Sequence, residues 1–103
     1  MPLVAAVAAV SGDNTVVAAV TGKKIRVTRF ELSASAAANV KWRTGSTDIT
    51  GLFYLTTTSP VARSSATVDA NDFLFETVAG AALVLNSSTA GPVGGFVNYT
   101  QET

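Results

Sequence analysis

The stretch that decides the fold is GKKIRVTRFELSASAAANVKWRT, residues 22–44. It predicts a long strand, a turn of small residues and a return strand. Within the first strand the apolar alternation changes phase, because Ile25 and Val27 share one parity and Phe30 and Leu32 share the other. Side chains alternate between faces along a strand, so this slip predicts a β-bulge or a strand that crosses from one sheet to another.

The return strand places Val40, Trp42 and Thr44 on one face and Lys41 and Arg43 on the other. A tryptophan buries a large area, so we expect Trp42 to anchor the core, with a ligand-stacking platform as the alternative. Other aromatic residues occur in most of the remaining predicted strands. The predicted core anchors are Trp42, Phe30, Phe53, Phe73 and Phe75.

The rest of the chain alternates short apolar runs with turn-forming residues at intervals of roughly ten residues. This spacing predicts an all-β protein, an antiparallel β-sandwich or jelly roll of about eight short strands. The pair Gly94–Gly95 lies near the start of the last strand and predicts a bulge or the close approach of another backbone.

Residues 1–20 differ from residues 21–103 in composition, although we expect one compact domain overall. The sequence VAAVSGD at residues 7–13 recurs as VAAVTGK at residues 17–23. This predicts either a strand hairpin or an apolar arm that adds a strand to a neighbour. The segment has no basic residue of the kind that opens a secretory leader, so we do not expect it to be cleaved. The arm candidates are Leu3, Val4, Val7 and Val10.

The composition is apolar for a chain of 103 residues, with 48% hydrophobic and 14% charged residues. An average soluble domain has about 25% charged residues. Several predicted strands are apolar on both faces, so the outer faces should also be covered. A symmetric homo-oligomer is the simplest cover. We do not expect a membrane, because no apolar run approaches the ~20 residues of a spanning helix.

The formal net charge is zero, with seven basic and seven acidic residues, which argues against a nucleic-acid partner. The basic residues gather early in the chain and most acidic residues lie late. Two interpretations stay open: solvated charges scattered over the surface, or complementary patches that meet between subunits. The candidates for contact with a partner are Lys23, Lys24, Arg26, Lys41 and Arg43.

Catalytic chemistry is not predicted. The chain has neither histidine nor cysteine, which removes the commonest general base and the thiolate ligands of metals. The serines lie in clusters typical of turns, and no glycine-rich phosphate loop opens a helix. We therefore expect no enzyme activity, no cofactor and no metal.

Five segments carry a family resemblance: GKKIRV at 22–27, LSASA at 32–36, GSTDITGL at 45–52, FETVAGAALVLN at 75–86 and VGGFVNY at 93–99. In this order they resemble a β-module of small virion structural proteins of tailed bacteriophages. The resemblance implies a capsid decoration (cement) protein, a homotrimer on the outer surface of the virion, made in the host cytoplasm. The implied partner is the major capsid protein, whose acidic surface the basic candidates would contact.

The alternative is a head-fibre or tail appendage domain that recognises a glycan or protein of the host surface. Such a domain would carry a pocket with an exposed aromatic residue or Asp and Asn side chains. The loops at residues 45–51, 57–61 and 87–92 are the expected positions for it.

Overall fold

The computed structural model describes residues 3–58, 60–65, 72–88 and 92–103. These ranges contain strands, turns and bends but no helix. The strands are β1 (Leu3–Ala9), β2 (Gly12–Val17), β3 (Lys24–Ala34), β4 (Ala38–Thr44), β5 (Thr47–Asp48), β6 (Phe53–Leu55), β7 (Val61–Ser64), β8 (Phe75–Glu76), β9 (Leu83–Ser87) and β10 (Val93–Glu102).

The strands pair in a nested order, the first with the last. β1 pairs with β10, β2 with β9, β3 with β7 and β8, and β4 with β5 and β6, all antiparallel. Sheet A has the order β1-β10-β3-β7, and sheet B has the order β2-β9-β4-β5. A nested antiparallel ribbon whose successive pairs enter opposite sheets is a jelly roll. The predicted antiparallel sandwich is confirmed.

The phase slip in β3 is a β-bulge. Asn98 of β10 pairs with Arg29, and the next residue, Tyr99, pairs with Val27, so Thr28 has no opposite residue on β10. The extra residue shifts the alternation by one position. Four apolar residues of both parities therefore reach the core from one strand. They are Ile25, Val27, Phe30 and Leu32, each at most 1% exposed.

The N-terminal segment does not form the predicted hairpin, because its two strands enter different sheets. β1 pairs with β10 from Leu3–Tyr99 to Ala9–Val93, whereas β2 pairs with β9 in the other sheet. The segment is part of the sandwich, because one face of β1 is needed to cover the core. Of the arm candidates, Val7 is 4% exposed and belongs to the core, while Val4 and Val10 are 68% and 55% exposed. Leu3 is half-buried.

The aromatic residues meet between the two sheets. Trp42 and Phe30 are buried, and their ring centroids lie 5.4 Å apart, edge to face. Because Trp42 is inaccessible to solvent, it is not a stacking platform. Phe53 and Phe75 are half-buried, pack against the core and lie 5.6 and 6.2 Å from the Phe30 ring.

Phe73 differs from its prediction as a core anchor. It is half-buried and lies outside the core cluster, with the Arg26 guanidinium 4.7 Å above its ring centroid. Phe73 precedes β8, so the strand alternation that turns Phe75 towards the core does not act on it.

The predicted close approach at Gly94–Gly95 occurs at Gly95. Its φ of 143° is unfavourable for residues with a side chain, and a Cβ there would lie 1.8 Å from the Glu31 carbonyl oxygen. A Cβ at Gly94 would lie 3.8 Å from the Val7 carbonyl oxygen, an ordinary contact. β10 therefore sits close to β3 at one position that only glycine can occupy.

Candidate interaction surface

The charged side chains form two clusters of ion pairs, and the first lies on the outer face of sheet A. The Arg26 Nε donates to Glu76 Oε2 at 2.7 Å, and the Lys24 Nζ lies 3.7 Å from Glu76 Oε1. The hydrogen bond from Arg26 lowers the pKa of Glu76, and the positive charge of Lys24 adds to the shift. Pairing of β3 with β8 positions this cluster, because Arg26 lies directly opposite Glu76.

The second cluster lies on the outer face of sheet B and is centred on Arg43. Its Nη1 donates to both carboxylate oxygens of Asp13, at 3.0 and 2.9 Å, and its Nε lies 2.9 Å from Asp48 Oδ1. Lys41 Nζ donates to Asp48 Oδ2 at 3.1 Å, and Asn86 Nδ2 donates to Asp13 Oδ1 at 2.7 Å. The hydrogen bonds from Asn86 and Arg43 lower the pKa of Asp13. The hydrogen bond from Lys41 lowers the pKa of Asp48.

These clusters include most of the basic residues that were predicted to contact a partner. Lys24, Arg26, Lys41 and Arg43 each pair with a carboxylate of the same chain. Lys23 makes no ion pair with any residue in the described ranges. The complementary charges thus meet within one chain, because the sheets bring together residues far apart in sequence. Contact of these side chains with another protein stays a prediction.

The edge of sheet A at β1 is open. β1 is the terminal strand of its sheet, and within the described ranges only β10 pairs with it. Its sequence, LVAAVAA, has no charged residue and no proline. Charged residues and prolines are among the features with which proteins protect an edge strand from further pairing. Val4, Ala6, Ala8 and the following Val10 are exposed on the outer face. The edge therefore offers backbone hydrogen-bonding groups beside small apolar side chains.

The edge of sheet B at β2 carries polar and charged side chains. Asn14 Nδ2 donates to the carbonyl oxygens of Val10 at 2.7 Å and Leu85 at 3.3 Å, and Asn14 Oδ1 accepts from the Val10 N–H at 3.2 Å. Asp13 adds a charge beside it. The other strands that pair on one side only are short. β7 has four residues, β6 has three, and β5 and β8 have two each. Short and charged edges resist further strand pairing, so β1 is the edge best suited to a partner.

The apolar surface of β1 continues onto β10. Val4, Ala6 and Ala8 lie directly opposite Asn98, Phe96 and Gly94, so these six residues share the outer face. We define the apolar strip as Val4, Ala6, Ala8 and Phe96.

A shallow cleft lies elsewhere, beside β6 and β7, with a volume of about 350 Å³. Tyr54 on its rim is 73% exposed. Of the three loops predicted for a pocket, the cleft reaches only residues 57–61. Residues 59 and 89–91 lie outside the described residues. The lining residues are Leu52, Phe53, Tyr54, Pro60, Val61 and Arg63.

The described residues contain no group of three acidic, histidine or cysteine side chains arranged to hold a metal ion. That part of the chain also has no apolar helix of membrane-spanning length. Fold and surface together define a jelly-roll sandwich with an open apolar edge. No protein-family model, curated protein or solved structure matches the chain.

Proposed function

We propose that this chain is a capsid decoration (cement) protein of a tailed bacteriophage, which binds and stabilises the assembled head as a homo-oligomer. The observation that carries the proposal is the open edge of β1 with its apolar strip. The resemblance of five segments to phage β-modules supports it. The jelly roll supports it as a fold used by viral capsid domains, which is an analogy of fold alone.

The surface suits permanent packing against neighbours better than the capture of a small substrate. Most of the predicted contact cations are paired within the chain, and the accessible part of β1 consists of backbone groups, valine and alanine. A protein that binds only the assembled shell stabilises that shell by mass action. Several weak contacts on one oligomer act together through their effective concentration. The partners are other copies of the chain and the major capsid protein, on the outer surface of the virion.

The contact is made by a strand of the sandwich, so deletion of that strand would disrupt the fold as well as the contact. Deletion of residues 2–10 would remove Val7 and Ala9 from the core and uncover β10. Substitution of an exposed side chain is the cleaner test. Val4→Lys introduces a charge into the apolar strip, and Ala62→Lys introduces the same charge at an exposed position of β7, the other edge of sheet A.

The proposal is tested by adding purified protein to expanded, undecorated phage shells. We expect saturable density on the outer shell surface by cryo-electron microscopy and a higher temperature of shell disruption. Val4→Lys should reduce occupancy at least about tenfold, because it buries a lysine charge at an apolar contact, while Ala62→Lys should bind as the natural chain does. Absence of bound density at saturating protein would refute the proposal.

The cleft favours a second candidate function, a head-fibre or tail domain that binds a host glycan. An exposed tyrosine such as Tyr54 presents an apolar ring face and a hydroxyl group, which suits a sugar ring. A glycan array distinguishes the two functions. Binding by the natural chain that is lost in Tyr54→Ala, together with no binding to shells, would replace the decoration proposal.

A further inference from the structure

We infer that β1 pairs antiparallel with β1 of a second copy, about a two-fold axis that passes beside Val7. The inference deepens the proposed function. It rests on that function because a homo-oligomer requires an interface between copies. Its starting point is the sequence of the open edge. Residues 4–10 read VAAVAAV, which is the same in both directions and is centred on Val7.

An antiparallel pair centred on Val7 makes these seven residues complementary to themselves. Ala5 lies opposite Ala9 of the second copy, and Ala6 opposite its Ala8. Val10 follows β1 and its N–H and C=O bond to Asn14, so Val4 and Val10 of the second copy meet through their side chains only. Shifting the pair by two residues would place every valine of residues 4–10 opposite an alanine or beyond the paired segment. Cross-strand pairs of β-branched residues contribute more than pairs with alanine, so the palindromic register is favoured.

The same register preserves the faces of the sheet. Opposite residues have equal parity in it, so exposed Ala6 meets exposed Ala8, and core-facing Val7 meets its own equivalent. A slip of one residue would set outward-facing residues against core-facing ones and place the two cores on opposite sides of the joined sheet. The two copies of sheet A therefore continue as one sheet, with both cores on the same side.

Charge does not oppose this contact. β1 carries no charged residue, and Arg29 and Glu31 of β3 lie opposite Asn98 and Phe96, two strands from the edge. They carry opposite signs, and Arg29 lies over the Phe96 ring at 5.3 Å. No like charges face each other when the edges join, which is the complementarity an isologous contact requires.

The extent of the edge sets the strength of the pair. In this register residues 5–9 of the two strands pair with each other. Five residues at ~3.4 Å each give a paired edge of roughly 17 Å. Such an edge covers less than the ~800 Å² per partner of a standard stable interface. The pair is therefore weak in free solution, and it becomes populated where copies are concentrated, as on the surface of a shell.

The test uses the full chain and two double variants that place two charges at the same exposed positions. In Ala6→Lys with Ala8→Lys, the introduced lysines of the two copies face each other across the two-fold axis. In Ala6→Lys with Ala8→Glu, each introduced lysine faces an introduced glutamate. Association is measured by sedimentation equilibrium up to millimolar protein, and the fluorescence of Trp42 reports that each variant folds.

We expect a monomer–dimer equilibrium for the natural chain. The two-lysine variant should associate at least about tenfold more weakly, and the lysine–glutamate variant should match the natural chain or exceed it. Three results would overturn the inference. The natural chain could stay monomeric, it could form the trimer implied by the family resemblance, or both variants could associate as strongly as the natural chain. Binding to shells is a separate readout. Shell binding without dimers retains the proposed function alone, and dimers without shell binding retain the inference alone.

Discussion

The two N-terminal strands, β1 and β2, occupy equivalent places and have different edges. Each is the terminal strand of its sheet, and each pairs with one of the last two strands. β2 carries the Asn14 amide and the Asp13 carboxylate, both engaged in side-chain contacts, whereas β1 has only alanine, valine and leucine. The jelly roll needs both strands for its core, but it does not require an open edge. This difference is why we propose the β1 side as the one that contacts neighbours.

The largest effect is expected from Gly95→Ala, which displaces part of β10, the strand that pairs with β1. A Cβ would lie 1.8 Å from the Glu31 carbonyl oxygen at a φ of 143°, so β10 must move away from β3. Overpacking and backbone strain together should lower the free energy of unfolding by about 3 kcal/mol or more. The measurement is the urea midpoint, followed by Trp42 fluorescence.

Gly94→Ala is the matched control for that prediction. Its Cβ would meet nothing closer than the Val7 carbonyl oxygen at 3.8 Å. Because alanine restricts the unfolded chain more than glycine does, the expected change is neutral to stabilising, by up to about 1 kcal/mol. Equal urea midpoints for the two variants would show that β10 does not depend on the close approach at Gly95.

A smaller loss is expected from Asn14→Ala, which removes the side-chain contacts of β2 with Val10 and β9. The substitution removes the hydrogen bonds to both backbone groups of Val10 and to the Leu85 carbonyl. At the typical net value of such bonds, the free energy of unfolding should fall by about 1–2 kcal/mol. Thr15→Ala, at the neighbouring position of the same strand, which is exposed, controls for the loss of a polar side chain. The contrast between the two edges loses its basis if both variants unfold at the same urea concentration.

The sequence predicted the features that depend on neighbouring residues. The phase change between Val27 and Phe30 indicated the bulge, and Gly94–Gly95 indicated the close approach, because both are local consequences of strand alternation and backbone sterics. Strand existence followed from the same local pattern. The antiparallel sandwich then followed from the regular spacing of the strands.

Sheet order was beyond the local pattern. Arg43 and Asp13 lie 30 residues apart, and they meet because β9 brings β2 and β4 into one sheet. The VAAV repeat at residues 7–10 and 17–20 predicted two similar strands, yet the second copy leaves β2 after Val17 and is exposed. The palindrome at residues 4–10 is visible in the sequence, but only the terminal position of β1 gives it a meaning.

The smallest effect is expected from acid, and it concerns the ion pairs beside β2. The pKa values of Asp13 and Asp48 are lowered in the folded chain by their hydrogen bonds to Asn86, Arg43 and Lys41. A lowered carboxylate pKa stabilises the fold above the pKa of the unfolded chain and loses that contribution as the pH falls through the folded value. Stability should therefore decline from about pH 5 downward, where the carboxylates take up protons.

Arg43→Met separates this contribution from the general effect of acid. Without the guanidinium, the pKa values of both aspartates move towards their usual range, so the variant should be less stable than the natural chain at pH 7 and should approach it near pH 3. Arg63→Met also removes one positive charge, from an arginine on β7 that makes no ion pair with any described residue, and should follow the natural chain at each pH. Thermal unfolding of the three proteins between pH 3 and pH 7 provides the measurement. Parallel curves for Arg43→Met and Arg63→Met would mean that the cluster beside β2 adds nothing to the fold, so that polarity alone distinguishes the two edges.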